Sequence, residues 1–135
     1  MHLLSITPES LFQALSDTTR LRIIRLLATS GQEICLCELV DALLEPQYNL
    51  SRHLKVLRQT GFLSSQKEGR WVYHRLTSEP DYLQPFYELV RGLPDPQGVY
   101  RRDLENFNQR MTLRQGGRCR VGILSPDLKA GGESI

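Results

Sequence analysis

Two cysteines stand one residue apart in EICLCELVDALL, at Cys35 and Cys37, and a third lies far away at Cys119. Thiolate is a soft ligand that selects soft ions. The pair falls where a helix is expected to begin. Free backbone N–H groups and the positive dipole end favour the thiolate there and lower its pKa. Spacing sets a condition. In a regular helix, residues i and i+2 point ~200° apart. Cys35 and Cys37 therefore cannot grip one atom from an intact turn. One must precede the first turn, or the turn must unwind. The residues alone leave three uses open: ion ligands, low-pKa thiols that oxidise readily, or two small buried apolar side chains.

The surrounding composition narrows the setting. A chain of 135 residues fits one domain with added ends. No stretch reaches the ~20 apolar residues of a membrane span. The start, MHLLSITPES, lacks the basic and apolar regions of a secretory signal. A cytoplasmic protein with reduced thiols is expected, without a structural disulfide. Charge is unevenly placed. Across residues 31–46 the charged side chains are Glu33, Glu38, Asp41 and Glu45. Across residues 47–75 they are Arg52, Lys55, Arg58, Lys67, Arg70 and Arg75 against Glu68 alone. A basic stretch behind an acidic one is a footprint for a polyanion.

Periodicity supplies the elements. Thr7 caps a first helix that has Pro8 at its first position and Leu11, Phe12 and Leu15 on its apolar side. Ser16 or Asp17 caps a second, with Leu21, Ile24, Leu27 and Ala28 at helical spacing. Ile23 and Leu26 widen its stripe, which predicts burial on two sides. A third helix spans about residues 36–44 and ends before Pro46. A fourth spans about 47–59. On it Leu50, Leu54 and Leu57 lie within ~60° of one another, while Tyr48, Arg52, Lys55 and Gln59 face the other way. The period then changes to two in FLSSQKEGRWVYHRL, predicting a hairpin turning at Glu68-Gly69. Two later helices carry the stripes Phe86, Leu89, Val90, Leu93 and Tyr100, Leu104, Phe107, Met111. Residues 1–115 form the expected domain, and residues 116–135 a mobile tail carrying Cys119.

Short helix, tight turn, second helix and hairpin is the order of a mainly α winged helix-turn-helix. The second helix of that unit enters the major groove by its N-terminal residues. Gln47, Tyr48, Asn49, Ser51 and Arg52 occupy those places. Arg suits guanine and Gln suits adenine. Lys55 and the hairpin-tip Lys67 and Arg70 suit phosphates, which position without reading sequence. His53 falls near the edge of the leucine face, as a packed or phosphate-facing residue. Double-stranded DNA is the expected partner.

The segments LSDTTRLRIIRLL, EICLCELVDAL, LSRHLKVLRQTGFL and KEGRWVYHRL resemble, in order over residues 11–76, the landmarks of the ArsR/SmtB repressors. The similarity is greatest to arsenic-responsive members, whose third helix opens with Cys-x-Cys. The resemblance implies a homodimer joined through its terminal helices. It implies a repressor of an arsenic-resistance operon that leaves its operator when trivalent arsenic or antimony binds cysteine, with no organic cofactor. Such ions bind three sulfurs as a pyramid. The chain departs from its relatives at Val40, where their motif places a third cysteine. Cys119 is then the candidate third ligand beside Cys35 and Cys37, from its own or a partner subunit; the alternatives are a free tail cysteine and a shell completed by a small thiol or water. Zinc fits less well, because it wants four ligands and His2, His53 and His74 show no paired spacing. A redox or sulfide-responsive repressor of the same fold is the alternative. A thiol redox enzyme is a third reading, but no phosphate-cradling glycine loop or His–carboxylate pair accompanies the thiols.

Overall fold

The structure is a computed structural model that describes residues 6–125 and 128. His2 and the remainder of the tail lie outside the described residues. The elements run α1 (Pro8–Leu15), α2 (Thr18–Ser30), β1 (Ile34–Cys35), α3 (Leu36–Leu43), α4 (Gln47–Gln59), β2 (Leu63–Glu68), β3 (Trp71–Leu76), a 3-10 turn (Asp81–Leu83), α5 (Gln84–Arg91) and α6 (Val99–Met111).

Local chemistry explains the boundaries. The Thr7 hydroxyl accepts from Ser10 N at 3.1 Å, and Pro8 follows at the first helical position. Asp17 caps α2, its Oδ2 accepting from Thr19 N and Arg20 N at 2.9 and 3.0 Å. Burial opposes ionisation, but those two bonds together with the charges of His53 and Arg20 hold its carboxyl below the ordinary value. Gly31 closes α2 in the left-handed region, at φ 68°. α3 stops at Leu44, which itself takes φ 57°, and Pro46 then opens α4.

α2 is the central helix, with Ile23, Ile24, Leu26 and Leu27 buried. Leu50, Leu54 and Leu57 dock α4 on this core through the leucine stripe. α6 lies along α3, and a second contact joins it to α2. The buried Arg22 ties three helices together: it donates to both Asp103 oxygens on α6 at 2.9 and 2.8 Å and to the Leu43 carbonyl at 2.7 Å.

Three features differ from the sequence expectation. The hairpin is part of a three-stranded antiparallel sheet, order β1-β3-β2, because Ile34 and Cys35 pair with His74 and Tyr73. Two residues are too few to show a period. The hairpin turn is Gly69-Arg70, since Glu68 still pairs with Trp71. Gly69, at φ 63°, supplies the positive φ. Finally, Phe12 and Leu89 are 60 % and 58 % exposed, although both were placed on apolar stripes. They leave an open apolar face on α1 and α5, whereas Phe107 of α6 is buried within the chain.

Candidate metalloid site and nucleic-acid interface

Cys35 is the N-cap of α3 and its backbone is extended, at φ −84° and ψ 157°. Cys37 lies inside the first turn. The ~200° divergence therefore does not apply, and both sulfurs face one region with α3 intact. Cys119 is brought there by the segment after α6. Its Sγ is 3.5 Å from Cys37 Sγ. The Cys119 sulfur, the Cys35 sulfur and a Glu38 oxygen lie within 4.8 Å of one another. All three thiols are free; Cys35 and Cys119 are buried and Cys37 is half-buried.

The tail is held by arginines that face the acidic segment in antiparallel order. Arg110 donates to Asp41 at 2.7 Å, Arg114 to Glu38 at 2.8 Å, and Arg118 to Glu33 at 3.3 Å. Arg110 also donates to the carbonyls of Val121 and Gly122 at 2.6 and 2.7 Å. Asp41 accepts from Leu124 N and Ser125 N. From the sheet, the Tyr73 hydroxyl accepts from Cys119 N at 2.9 Å, and the Arg118 guanidinium lies 3.8 Å over the Tyr73 ring. Arg118 reaches the wing as well, at 2.6 Å from Glu68.

This setting separates the thiols. Hydrogen bonds from Cys35 and Cys119, helped by the charge of Arg110, lower Cys37 to about 7 despite its burial. Cys35 is pushed upward, first as the donor to Cys37 and then by burial. Burial and the neighbouring Cys37 charge raise Cys119 to about 12. One nucleophilic sulfur thus sits among two protonated ones. The donor set also fits a soft ion. With bonds of ~2.3 Å, two thiolates on one ion lie ~3.3 to 3.8 Å apart for angles from 90° to tetrahedral. The Cys37–Cys119 separation falls inside that range.

The reading face is different in kind. Tyr48, Ser51, Arg52 and Lys55 are exposed along α4, and Gln47 and Asn49 are half-buried at its start. Lys67 and Arg70 are exposed at the wing. Arg52 lies 5.6 Å over the Tyr48 ring and Arg70 lies 4.6 Å over Trp71. His53 sits toward α2, its Nδ1 3.1 Å from Arg20 Nη1 and 3.8 Å from Asp17. Between the two regions a cleft of about 350 Å³ is lined by Cys35, Cys37, Gln47, Ser51, Arg58 and Trp71 among others. The thiols and the reading helix therefore share a wall.

Sequence reasoning did not single out Glu38, Asp41, Tyr73, Arg110 or Arg114. One signal was present: Arg110, Arg114 and Arg118 recur every four residues, opposite in sign to the acidic run 33–45.

A helix–turn–helix followed by a two-stranded wing, with basic residues on its outer face, defines a winged helix-turn-helix DNA-binding regulator. The family model "Bacterial regulatory protein, arsR family" matches residues 17–65. The arsenic resistance transcriptional regulator ArsR2 of Pseudomonas putida is 49% identical over 86 residues, 63% of this chain and 74% of that protein. The arsenical resistance operon repressor of Escherichia coli is 46% identical over 72 residues, 53% of this chain and 61% of that protein. A cadmium resistance transcriptional regulatory protein CadC homolog of Staphylococcus aureus is 37% identical over 68 residues, 50% and 55% of the two chains. The chain belongs to the arsR family of bacterial regulatory proteins. It is a DNA-binding transcriptional regulator and not an enzyme. No helix among the described residues is long and apolar enough to cross a membrane.

Proposed function

We propose that the chain represses an arsenic-resistance operon, binds operator DNA as a homodimer, and is released when trivalent arsenic or antimony is held by Cys35, Cys37 and Cys119. The observation that carries this reading is the approach of Cys119 to Cys37, at a distance two sulfurs on one ion would keep. It supplies a third sulfur where the helical motif has Val40. The names of the relatives support the operon.

The chemistry balances without an oxidant. Cys37, the sulfur nearest to thiolate at neutral pH, attacks arsenous acid first. Each of the three sulfurs displaces one hydroxide, which leaves as water with the proton of its thiol or, for the Cys37 thiolate, with a proton from solvent. The product is a three-sulfur pyramid.

Release follows from what the cysteines are attached to. Cys35 already precedes the first turn, so α3 need not unwind. Drawing the sulfurs together instead moves the segment bearing Cys119, which is bonded to Tyr73 of β3 and, through Arg118, to Glu68 of the wing. It also pulls on the start of α3, against which α4 is docked. An ion favouring the DNA-incompetent shape by ~3 to 4 kcal/mol shifts the equilibrium by a few hundredfold. The exposed Phe12 of α1 and Leu89 of α5, with Tyr82 of the 3-10 turn before α5, support α1 and α5 as part of the dimer face.

The test is a gel shift with the DNA upstream of the chain's own gene. Nanomolar binding, steep loss with salt and release by arsenite are expected. A Cys35→Ser, Cys37→Ser protein that still leaves the DNA on adding arsenite would overturn the reading. One observation favours a second reading, a redox repressor: Cys37 and Cys119 are placed to form a disulfide, with hydrogen peroxide taking the two electrons and both protons to become two waters. Release by peroxide but not by anaerobic arsenite would select it.

A further inference from the structure

The thiol cluster has a carboxylate beside it, and Cys37 joins the group only through Cys119, at 3.5 Å. Glu38 lies with Cys35 and Cys119 inside 4.8 Å. Three sulfurs plus a carboxylate would make a tetrahedral site of the kind zinc and cadmium take. Three sulfurs alone suit an ion that forms a pyramid. The state of Glu38 therefore decides which ions the site accepts.

That carboxylate is fully buried and already engaged. Its Oε1 accepts from Cys35 N at 2.9 Å and from Arg114 Nη2 at 2.8 Å. Its Oε2 accepts from Arg114 Nε at 2.8 Å. The bidentate fork is the strong geometry for this pair. Arg114 is fixed in turn by the Glu33 carbonyl at 2.8 Å and the Gly117 carbonyl at 3.3 Å, and it lies over the Tyr73 ring at 5.8 Å. For Glu38 to bind a metal it would have to leave a buried guanidinium and the N-cap amide unpaired, and both losses oppose the move.

We infer that the Glu38–Arg114 pair is the selectivity device of the thiol cluster: Arg114 withholds the fourth donor, so the site favours three-coordinate thiophilic ions over four-coordinate divalent ones. This rests on the reading that the three cysteines hold the ion. It adds that an acidic neighbour, which ordinarily marks a divalent-metal site, is here a structural group tying the start of α3 to the segment after α6.

The experiment titrates the reduced full chain with arsenite and, separately, with cadmium, following thiolate-to-metal absorbance. Three proteins are compared: wild type, Glu38→Gln and Arg114→Gln. Glu38→Gln is expected to change cadmium affinity less than threefold, because the carboxylate is not a donor. Arg114→Gln is expected to raise the ratio of cadmium to arsenite affinity at least tenfold, a ratio that a general loosening of the cluster would not move. A tenfold or greater loss of cadmium affinity in Glu38→Gln overturns the inference, as Glu38 would then be a ligand already. A folded Arg114→Gln protein whose ratio of cadmium to arsenite affinity matches the wild type also overturns it. Where circular dichroism shows Arg114→Gln unfolded, the Glu38→Gln arm decides alone. Failure of the underlying reading looks different: arsenite absorbance in the wild type would survive replacement of all three cysteines by serine.

Discussion

The thiol cluster and the reading face belong to the same short helix-turn-helix and share a cleft, yet they are built by different rules. On α4 the side chains offered to DNA are exposed, and their direction follows from one leucine stripe beneath them. At the start of α3 the sulfurs are placed by contacts that span 46 to 85 residues of chain, through Arg110, Arg114, Arg118 and Tyr73. The reading face should tolerate substitution without loss of fold. The supports of the thiol cluster should tolerate it less, because they are buried ion pairs, Arg110–Asp41 and Arg114–Glu38, whose halves cannot be left alone without cost.

The strongest challenge to that contrast is Arg110→Ala. Its side chain and that of Asp41 are 3 % and 8 % exposed, and the change leaves the buried carboxylate without a counter-charge, held only by the Leu124 and Ser125 amides. A loss of about 3–5 kcal/mol in urea unfolding is expected. A change under ~1 kcal/mol would mean that the arginine ladder does not hold the tail.

A second difference is in pH response. His74, on β3 behind the thiols, is buried, and burial with nearby Arg58 lowers it to about 4. The folded imidazole stays neutral while the unfolded one takes up a proton below its ordinary value near 6.5. Stability is therefore complete above pH 6.5 and falls as pH drops towards 4, by on the order of 3 kcal/mol. Denaturant titrations across that window should show the slope, and His74→Gln should flatten it.

Reading-face substitutions should act on DNA alone. Arg52→Ala is expected to weaken operator binding by about 1–3 kcal/mol while unfolding stability moves less than ~0.5 kcal/mol. Lys67→Ala should lower the salt slope by about one and weaken all sequences alike. Equal losses in fold and binding would erase the distinction between the two regions.

The smallest effect sits on the link between them. Tyr73→Phe removes the hydroxyl that accepts from Cys119 N, at a cost of about 0.5–1.5 kcal/mol. More telling is its expected effect on function: weaker coupling of arsenite to DNA release, with DNA affinity in the absence of arsenite nearly unchanged.

The same division governs what the sequence revealed. Helices α1, α2 and α4 and the hairpin were legible because caps, breakers and periods are local signals. Thr7, Asp17, Gly31, the leucines of α4 and the turn glycine Gly69 each state their role within a few residues. β1 was not legible, since two residues carry no period and Cys35 looked like part of a helix. That same extended conformation lets the cysteine pair converge. The docking of residues 118–125 depends on sign complementarity between 33–45 and 110–118, a pairing with no local trace. The acidic run was read as a contrast to the basic reading unit. Its partners are mainly the arginines of α6 and the segment behind it, together with Arg22 at Glu45 and, from the basic stretch itself, Arg75 at Glu33. Leu89 and Phe12 misled for a related reason: periodicity finds an apolar face without telling whether its cover lies within the chain.

The account stands most directly on Cys119. Arsenite titration of the operator complex, wild type against Cys119→Ser, measures whether the distant sulfur is part of the sensor. The variant should bind DNA as tightly as wild type and need at least a hundredfold more arsenite for half release. Half release at the same arsenite concentration in both proteins would contradict the three-sulfur site.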